Sequence, residues 1–427
     1  MSLDRRTFLQ SSVAALLAGS MTGPGVWGAE TPGPRKKIAV VTTEWRYRSH
    51  AWHMAERFLH GYPRQGAWYR PPIDVVSAYV DQFPAEDLSR QRSEEFKFPI
   101  YKTVGEALRS GGRELAVDGV LIIGEHGKYD LSEFEQTKYP RYEFFKQVVE
   151  VFQQSGRVVP VFNDKHLSWN WEWAREMYDL AQKMKIPLAA GSSLPVTWRM
   201  PAVELPLGSE VDEILCVAFG GIDSYDFHAL EVIQCQAERR KGGETGVKSV
   251  QALRGDAVWK LFESSDWSAG GMSPRLFEAC LSRSQTLAQP ATFSHRYPTL
   301  GQMREWVKKP VAYRIEYLDG AKATMLLMNG LVTDFTIAIQ SRGVEKPFST
   351  LFYLPPNPNV TYSAGLMAQA EETFVTGKSP QPLERTLLTT GLVEAGVRSL
   401  GQSQAKLATP HLQIRYEAPK DSKFLRD

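Results

Sequence analysis

Asp118-Gly119-Val120-Leu121-Ile122-Ile123-Gly124-Glu125-His126-Gly127-Lys128-Tyr129 sets an apolar run against an abrupt cluster of charged and polar groups. Val120 to Ile123 are apolar in succession, so both faces of this strand are buried. That is the pattern of a parallel sheet covered by helices, not the alternation of a half-solvated antiparallel one. The flanking sequence agrees. Ile38 to Val41 and Ile73 to Val80 precede it as strands, and Val158 to Phe162 and Ile186 to Gly191 follow. Amphipathic stretches separate them at Ser49 to Leu59, Val104 to Leu108, Arg141 to Gln153 and Trp171 to Met184. Five strands with helical crossovers predict an α/β unit over residues 36–195, a Rossmann-like doubly wound parallel sheet.

Beyond Pro195 the pattern changes. Ile214 to Phe219, Val247 to Arg254, Val311 to Tyr317, Lys322 to Met328 and Leu331 to Gln340 read as strands, with Asp319-Gly320 as a hairpin turn. Helices are predicted over Asp223 to Arg240 and Leu383 to Leu400, and loops over Pro355 to Asn359 and Gly377 to Pro380. These make an α+β domain over 196–420 with a large, mostly antiparallel sheet.

The 427 residues suffice for two such domains, and 43% hydrophobic content excludes a disordered chain. Basic and acidic residues nearly balance, 50 against 48, without a dense Lys/Arg block, so no nucleic-acid or anionic-membrane footprint is expected. Cys216, Cys235 and Cys280 form no CxxC pair; they read as buried small residues, not as a disulfide framework or zinc site. Arg5-Arg6 precedes the apolar stretch Val13 to Ala18 and the small-residue end Val26-Trp27-Gly28-Ala29. Residues 1–29 therefore look like a twin-arginine signal that sends the protein to the periplasm or outside. The apolar run is too short to span a bilayer, and nothing downstream is longer, so no membrane span is predicted.

Ligands of an open parallel sheet lie beyond the carboxyl ends of its strands. The residues there are Thr42-Thr43-Glu44-Trp45-Arg46, Asp81, Gly124 to Tyr129, Asn163-Asp164-Lys165-His166 and Gly191-Ser192-Ser193. His50, His53 and His60 with Glu56 fall on adjacent helical turns, but no fourth ligand is evident and no metal is predicted. Of Trp169, Trp171 and Trp173, at least one is expected in the core, and an exposed one could stack on a sugar. No GxSxG or Walker sequence occurs, which argues against serine hydrolysis and phosphoryl transfer.

The order of elements resembles the family of glucose–fructose oxidoreductase and inositol dehydrogenase (Gfo/Idh/MocA). Asp164-Lys165 stands where that family has Glu-Lys before a proline, Phe227-His228-Ala229-Leu230-Glu231 matches its histidine-bearing helix, and Val247 to Val250 matches the next strand. Phe374 to Gly377 and Glu394 to Ser399 look like its C-terminal region, so the resemblance spans the mature chain. It implies hydride transfer between NAD or NADP and a sugar, sugar derivative or polyol. Lys165 would orient the substrate hydroxyl and His228 would be the general base; the position of the family's catalytic aspartate holds Ser224, flanked by Asp223 and Asp226, and Asp226 would take the role if the helix is shifted. Asp81 would bind the adenosine ribose, with Thr42, Thr43, Arg46, Glu125, His126 and Asp164 completing the cofactor side. A homo-oligomer through the exposed face of the antiparallel sheet is also implied.

Two departures define the rivals. Thr42 to Ala51 contains no glycine where the family has a glycine-rich phosphate turn, and Trp45, Arg46 and Tyr47 are bulky. Arg46 and Arg48 would then have to contact phosphate directly. His166 replaces the proline. If the dinucleotide site is lost, the same fold would serve a carbohydrate-active hydrolase or lyase using Glu44, Glu125, His126 and Asp164, or a non-catalytic carbohydrate-binding protein.

Overall fold

Six parallel strands form the first sheet: β1 (Lys36–Thr42), β2 (Ile73–Val80), β3 (Ile100–Tyr101), β4 (Gly119–Ile123), β5 (Val161–Asp164) and β6 (Leu188–Gly191). The computed structural model describes residues 34–292, 296–355 and 360–426, so the expected export signal and part of the Pro355 to Asn359 loop lie outside the described residues. The strand order is β3-β2-β1-β4-β5-β6. It reverses between β1 and β4, which opens a crevice at their carboxyl ends. Sequence reading misses β3 because it has only two residues. The helix expected from Ser49 to Leu59 is two short ones, His50–Met54 and Glu56–His60. Ser49 starts the first, its hydroxyl accepting from the Trp52 amide. An unanticipated hairpin, Tyr62–Arg64 with Ala67–Tyr69, follows the second.

The second sheet comprises β7 (Trp198–Met200), β8 (Val211–Ala218), β9 (Val247–Arg254), β10 (Val311–Tyr317), β11 (Lys322–Leu327), β12 (Phe335–Ser341), β13 (Phe348–Tyr353) and β14 (Leu407–Ala408). Their order is β14-β9-β10-β11-β8-β12-β13-β7, antiparallel except for the β8–β11 pair. Along β8, Ile214, Cys216 and Ala218 face the Tyr225–Ala237 and Leu383–Gly401 helices, and Leu215 and Val217 face the other way. That other face is not open, as the oligomer expectation required. The Pro274–Arg283 helix covers it with Leu276, Phe277, Cys280 and Leu281, an i, i+1, i+4, i+5 stripe that sequence reading passed over. The three cysteines are free and buried. No helix among the described residues is long and apolar enough to cross a membrane.

Two helices join the halves. Leu383–Gly401 brings Gly396 against Tyr313 of β10, so closely that a Cβ would lie 2.3 Å from the ring. Tyr362–Thr376 returns from the second sheet to pack Leu366, Met367, Ala370 and Phe374 beside Ile38, Phe58 and Phe162. Glu371 on that helix accepts from the Tyr62 and Tyr69 hydroxyls of the hairpin, each at 2.5 Å.

Candidate active site

The ends of β4, β5 and β6, the His50–Met54 helix and the start of the Tyr225–Ala237 helix converge on a cavity of about 420 Å³. Glu125, His126, Asp164, Lys165 and His228, all singled out in the sequence, line it together with Arg48, His50, Ser192 and Tyr362. Lys165 is buried at 3% exposure, its Nζ 3.2 Å from Glu125 Oε1 and donating to the Ser224 carbonyl at 3.4 Å. Arg141, which has no exposed surface, also bonds Glu125. Burial alone would raise the Glu125 pKa, but Lys165 and Arg141 overcome it and hold the carboxyl well below its usual range. One anion thus sits between two cations.

His228 Nδ1 lies 2.6 Å from Ser192 Oγ. Burial first, then the Lys165 charge, lowers its pKa well below the usual imidazole value, so the ring is neutral. Burial also keeps His53 and His166 neutral and pushes His126 down to about 4. His50 Nδ1 lies 2.5 Å from Asp164 Oδ2. His126 and Lys165 have left-handed backbones, φ 70° and 64°. Such a conformation costs a non-glycine residue about 1 kcal/mol and is often kept where function needs the side chain.

Several candidates lie elsewhere. Asp226 is fully buried and does not line the cavity. It accepts from the Ser224 and Phe227 amides and from Tyr313 Oη at 3.0 Å, so it fastens the helix start to β10. Thr42 and Thr43 turn inward, donating to the Ile123 and Glu125 carbonyls at 3.1 and 2.6 Å. Arg46 is paired with Glu44 at 2.6 Å. Trp45 is wholly buried, stacked on Phe98 and bonded to Glu56, so the turn after β1 is filled by a core side chain. Asp81 is exposed at the end of β2 and accepts from Tyr79 and Tyr129 hydroxyls, each at 2.7 Å. Trp169, Trp171 and Trp173 do not line this cavity. Among the described residues no group of three His, Cys, Asp or Glu side chains is arranged to hold a metal.

Arg141 was missed, although the sequence carried a signal. It occupies the apolar stripe of its helix, three and four residues before Phe144 and Phe145, where a charge needs a buried partner. Glu231, beneath the site, was another. Its Oε1 accepts from Thr389 Oγ1 at 2.6 Å, and a Cβ on Gly191, at φ +127°, would meet its Oε2 at 3.2 Å.

Burial raises the Glu231 pKa to about 7. Because this folded value exceeds the unfolded one, its contribution to stability is complete at low pH and lost as pH rises through 7. Glu231→Gln escapes that loss. Urea unfolding should show the variant gaining about 2–3 kcal/mol on the parent between pH 5 and pH 8; an unchanged difference would exclude the linkage.

No protein-family model matches the sequence, and no curated protein matches it. Solved structures do match. GenD2 from gentamicin A biosynthesis, determined with NAD, superposes with a TM-score of 0.56 at 14% identity, covering 90% of this chain and 99% of that one. Apo scyllo-inositol dehydrogenase from Lactobacillus casei gives 0.51 at 12% identity, over 88% and 98%. A super-repressor mutant of Gal80p from Saccharomyces cerevisiae gives 0.51 at 10% identity, over 90% and 100%. An inositol dehydrogenase, a protein of gentamicin A biosynthesis and a super-repressor mutant share this architecture, so function rests on the site. The chain has the two-domain fold of the Gfo/Idh/MocA oxidoreductases.

Proposed function

We propose that the protein is an oxidoreductase acting on a hydroxyl-bearing carbon of a sugar, sugar derivative or polyol, with NAD or NADP as partner. Residues 36–195 would hold the cofactor and 196–420 the substrate, in an exported protein. The observation that carries this reading is the meeting of Lys165 and neutral His228 in one cavity beyond the parallel strands.

The substrate hydroxyl receives a hydrogen bond from the Lys165 ammonium, which favours its alkoxide. Glu125 fixes the ammonium in place, and because Arg141 shares that carboxylate, one anion does not cancel the field of both cations. The Nδ1 edge of His228 is held by Ser192 Oγ, and with the ring hydrogen on that edge its Nε2 would take the hydroxyl proton. Asp81, at the end of β2, would take the adenosine ribose in place of its Tyr79 and Tyr129 contacts, and the cavity would take the nicotinamide. Between them the turn after β1 offers no glycine amides, and Arg48 would take the phosphates in their place. Arg48 lines the cavity rim and has no acidic partner among the described residues. When bound, the nicotinamide supplies the hydride acceptor.

The buried Trp45 and Glu44, with the inward Thr42 and Thr43 hydroxyls, favour a second reading. In it the cavity works on carbohydrate as a hydrolase, lyase or binding site without an exchangeable dinucleotide. Mass spectrometry of small molecules released on denaturing the purified protein separates the two. Stoichiometric NAD(H) or NADP(H) is expected. Its absence, together with a null titration by added cofactor, would replace the first reading by the second.

A further inference from the structure

Removing hydrogen from one hydroxyl-bearing carbon needs one proton acceptor, and His228 fills that role. The cavity holds another imidazole that this chemistry leaves unused. His50 is the first residue of its helix, set there by the Ser49 cap, and its Nδ1 lies 2.5 Å from Asp164 Oδ2. Asp164 is 1% exposed, and its Oδ1 has no other hydrogen-bond partner among the described residues. A carboxylate only accepts, so Nδ1 carries the hydrogen and Nε2 is left as the basic atom. The rings of His53 and His126 stand edge-on to His50 at 4.7 and 5.0 Å between centroids, which restricts its rotation. A buried carboxylate, a fixed tautomer and a free Nε2 in a cavity are the parts of a proton-transfer dyad.

Next to this dyad is Lys165, adjacent to Asp164 in the chain and lining the same cavity. An ammonium there suits an oxygen that gains negative charge. We infer that His50, positioned by Asp164, is a second proton-transfer residue that enolises a keto sugar held by Lys165. The balance is internal. His50 Nε2 takes the proton from the carbon next to the carbonyl, and the C–H electron pair becomes the carbon–carbon double bond of the enediolate. The carbonyl π pair moves to oxygen, which Lys165 stabilises. Return of a proton from the imidazolium restores the ketone. No oxidant or reductant is consumed. The inference rests on the carbohydrate reading of the cavity and does not depend on a dinucleotide.

The test is deuterium incorporation from D₂O into D-fructose, D-ribulose and dihydroxyacetone by the full chain with no nucleotide added, followed by proton NMR. The parent should exchange the hydrogen beside the carbonyl of at least one probe faster than buffer. His50→Gln, whose amide can still donate to Asp164, should slow that exchange by on the order of 10²–10⁴-fold in protein that circular dichroism shows to be folded. Asp164→Asn should lower kcat for exchange with KM unchanged, and Asp164→Glu should recover part of it. Exchange no faster than buffer with all three probes, or exchange retained in folded His50→Gln, would overturn the inference. So would an Asp164→Asn effect confined to KM. Failure here leaves the nucleotide content of the protein untouched, so the two readings fall separately.

Discussion

Arg141→Met is expected to destabilise the protein by about 3–5 kcal/mol, read as a shift in urea midpoint at constant slope. Arg141 has no exposed surface, and its guanidinium bonds Glu125, reaches His166 Nε2 at 3.4 Å and lies over the Tyr139 ring at 5.1 Å. Removing it leaves a buried carboxylate with Lys165 as its remaining close cation. Leaving a buried charge short of a partner costs more than the pair contributes, and the double variant Arg141→Met with Glu125→Met should recover only part of the loss, because it takes the carboxylate from buried Lys165 in turn. A single-variant loss below about 1 kcal/mol would show that Lys165 alone suffices for Glu125.

His228→Ala and Lys165→Ala are each expected to lower kcat/KM by on the order of 10²–10⁴-fold on any sugar or polyol that the parent oxidises. The two should not add, because the base acts on the hydroxyl that the ammonium orients. Ser192→Ala should cost about tenfold, since it frees the His228 ring without removing it. Steady-state kinetics with folded variants checks all three. Full turnover in either alanine variant would show that the proton leaves by another group.

The parallel sheet was legible because continuous apolar runs such as Val120 to Ile123 state burial on both faces without any partner. Lys165 and His228 were legible through their place at a strand end and in a helix matching a known family. Asp226 was misread because its position, two residues from the expected one, hid that its carboxylate closes the helix start on Tyr313. Thr42, Thr43 and Arg46 were read as ligand contacts, but a hydroxyl at a strand end can turn toward the neighbouring strand, and an Arg two residues from a Glu can fold onto it. Such choices are made by three-dimensional neighbours. The pairing of His50 with Asp164 joins residues 114 apart and leaves no local trace.

The Tyr362–Thr376 helix has a mechanical consequence. Its Glu371 is gripped by Tyr62 and Tyr69, Ser363 Oγ donates to the His53 carbonyl at 2.6 Å, and Phe374 lies 6.0 Å from Phe58 between ring centres. The later half of the chain is therefore buckled onto the earlier half, close to the cavity. A swinging jaw between two domains would have to break this buckle. With the halves held this way, the path into the site runs past rim side chains such as Arg48 and Tyr362, whose rotation is a far smaller change than parting two packed cores.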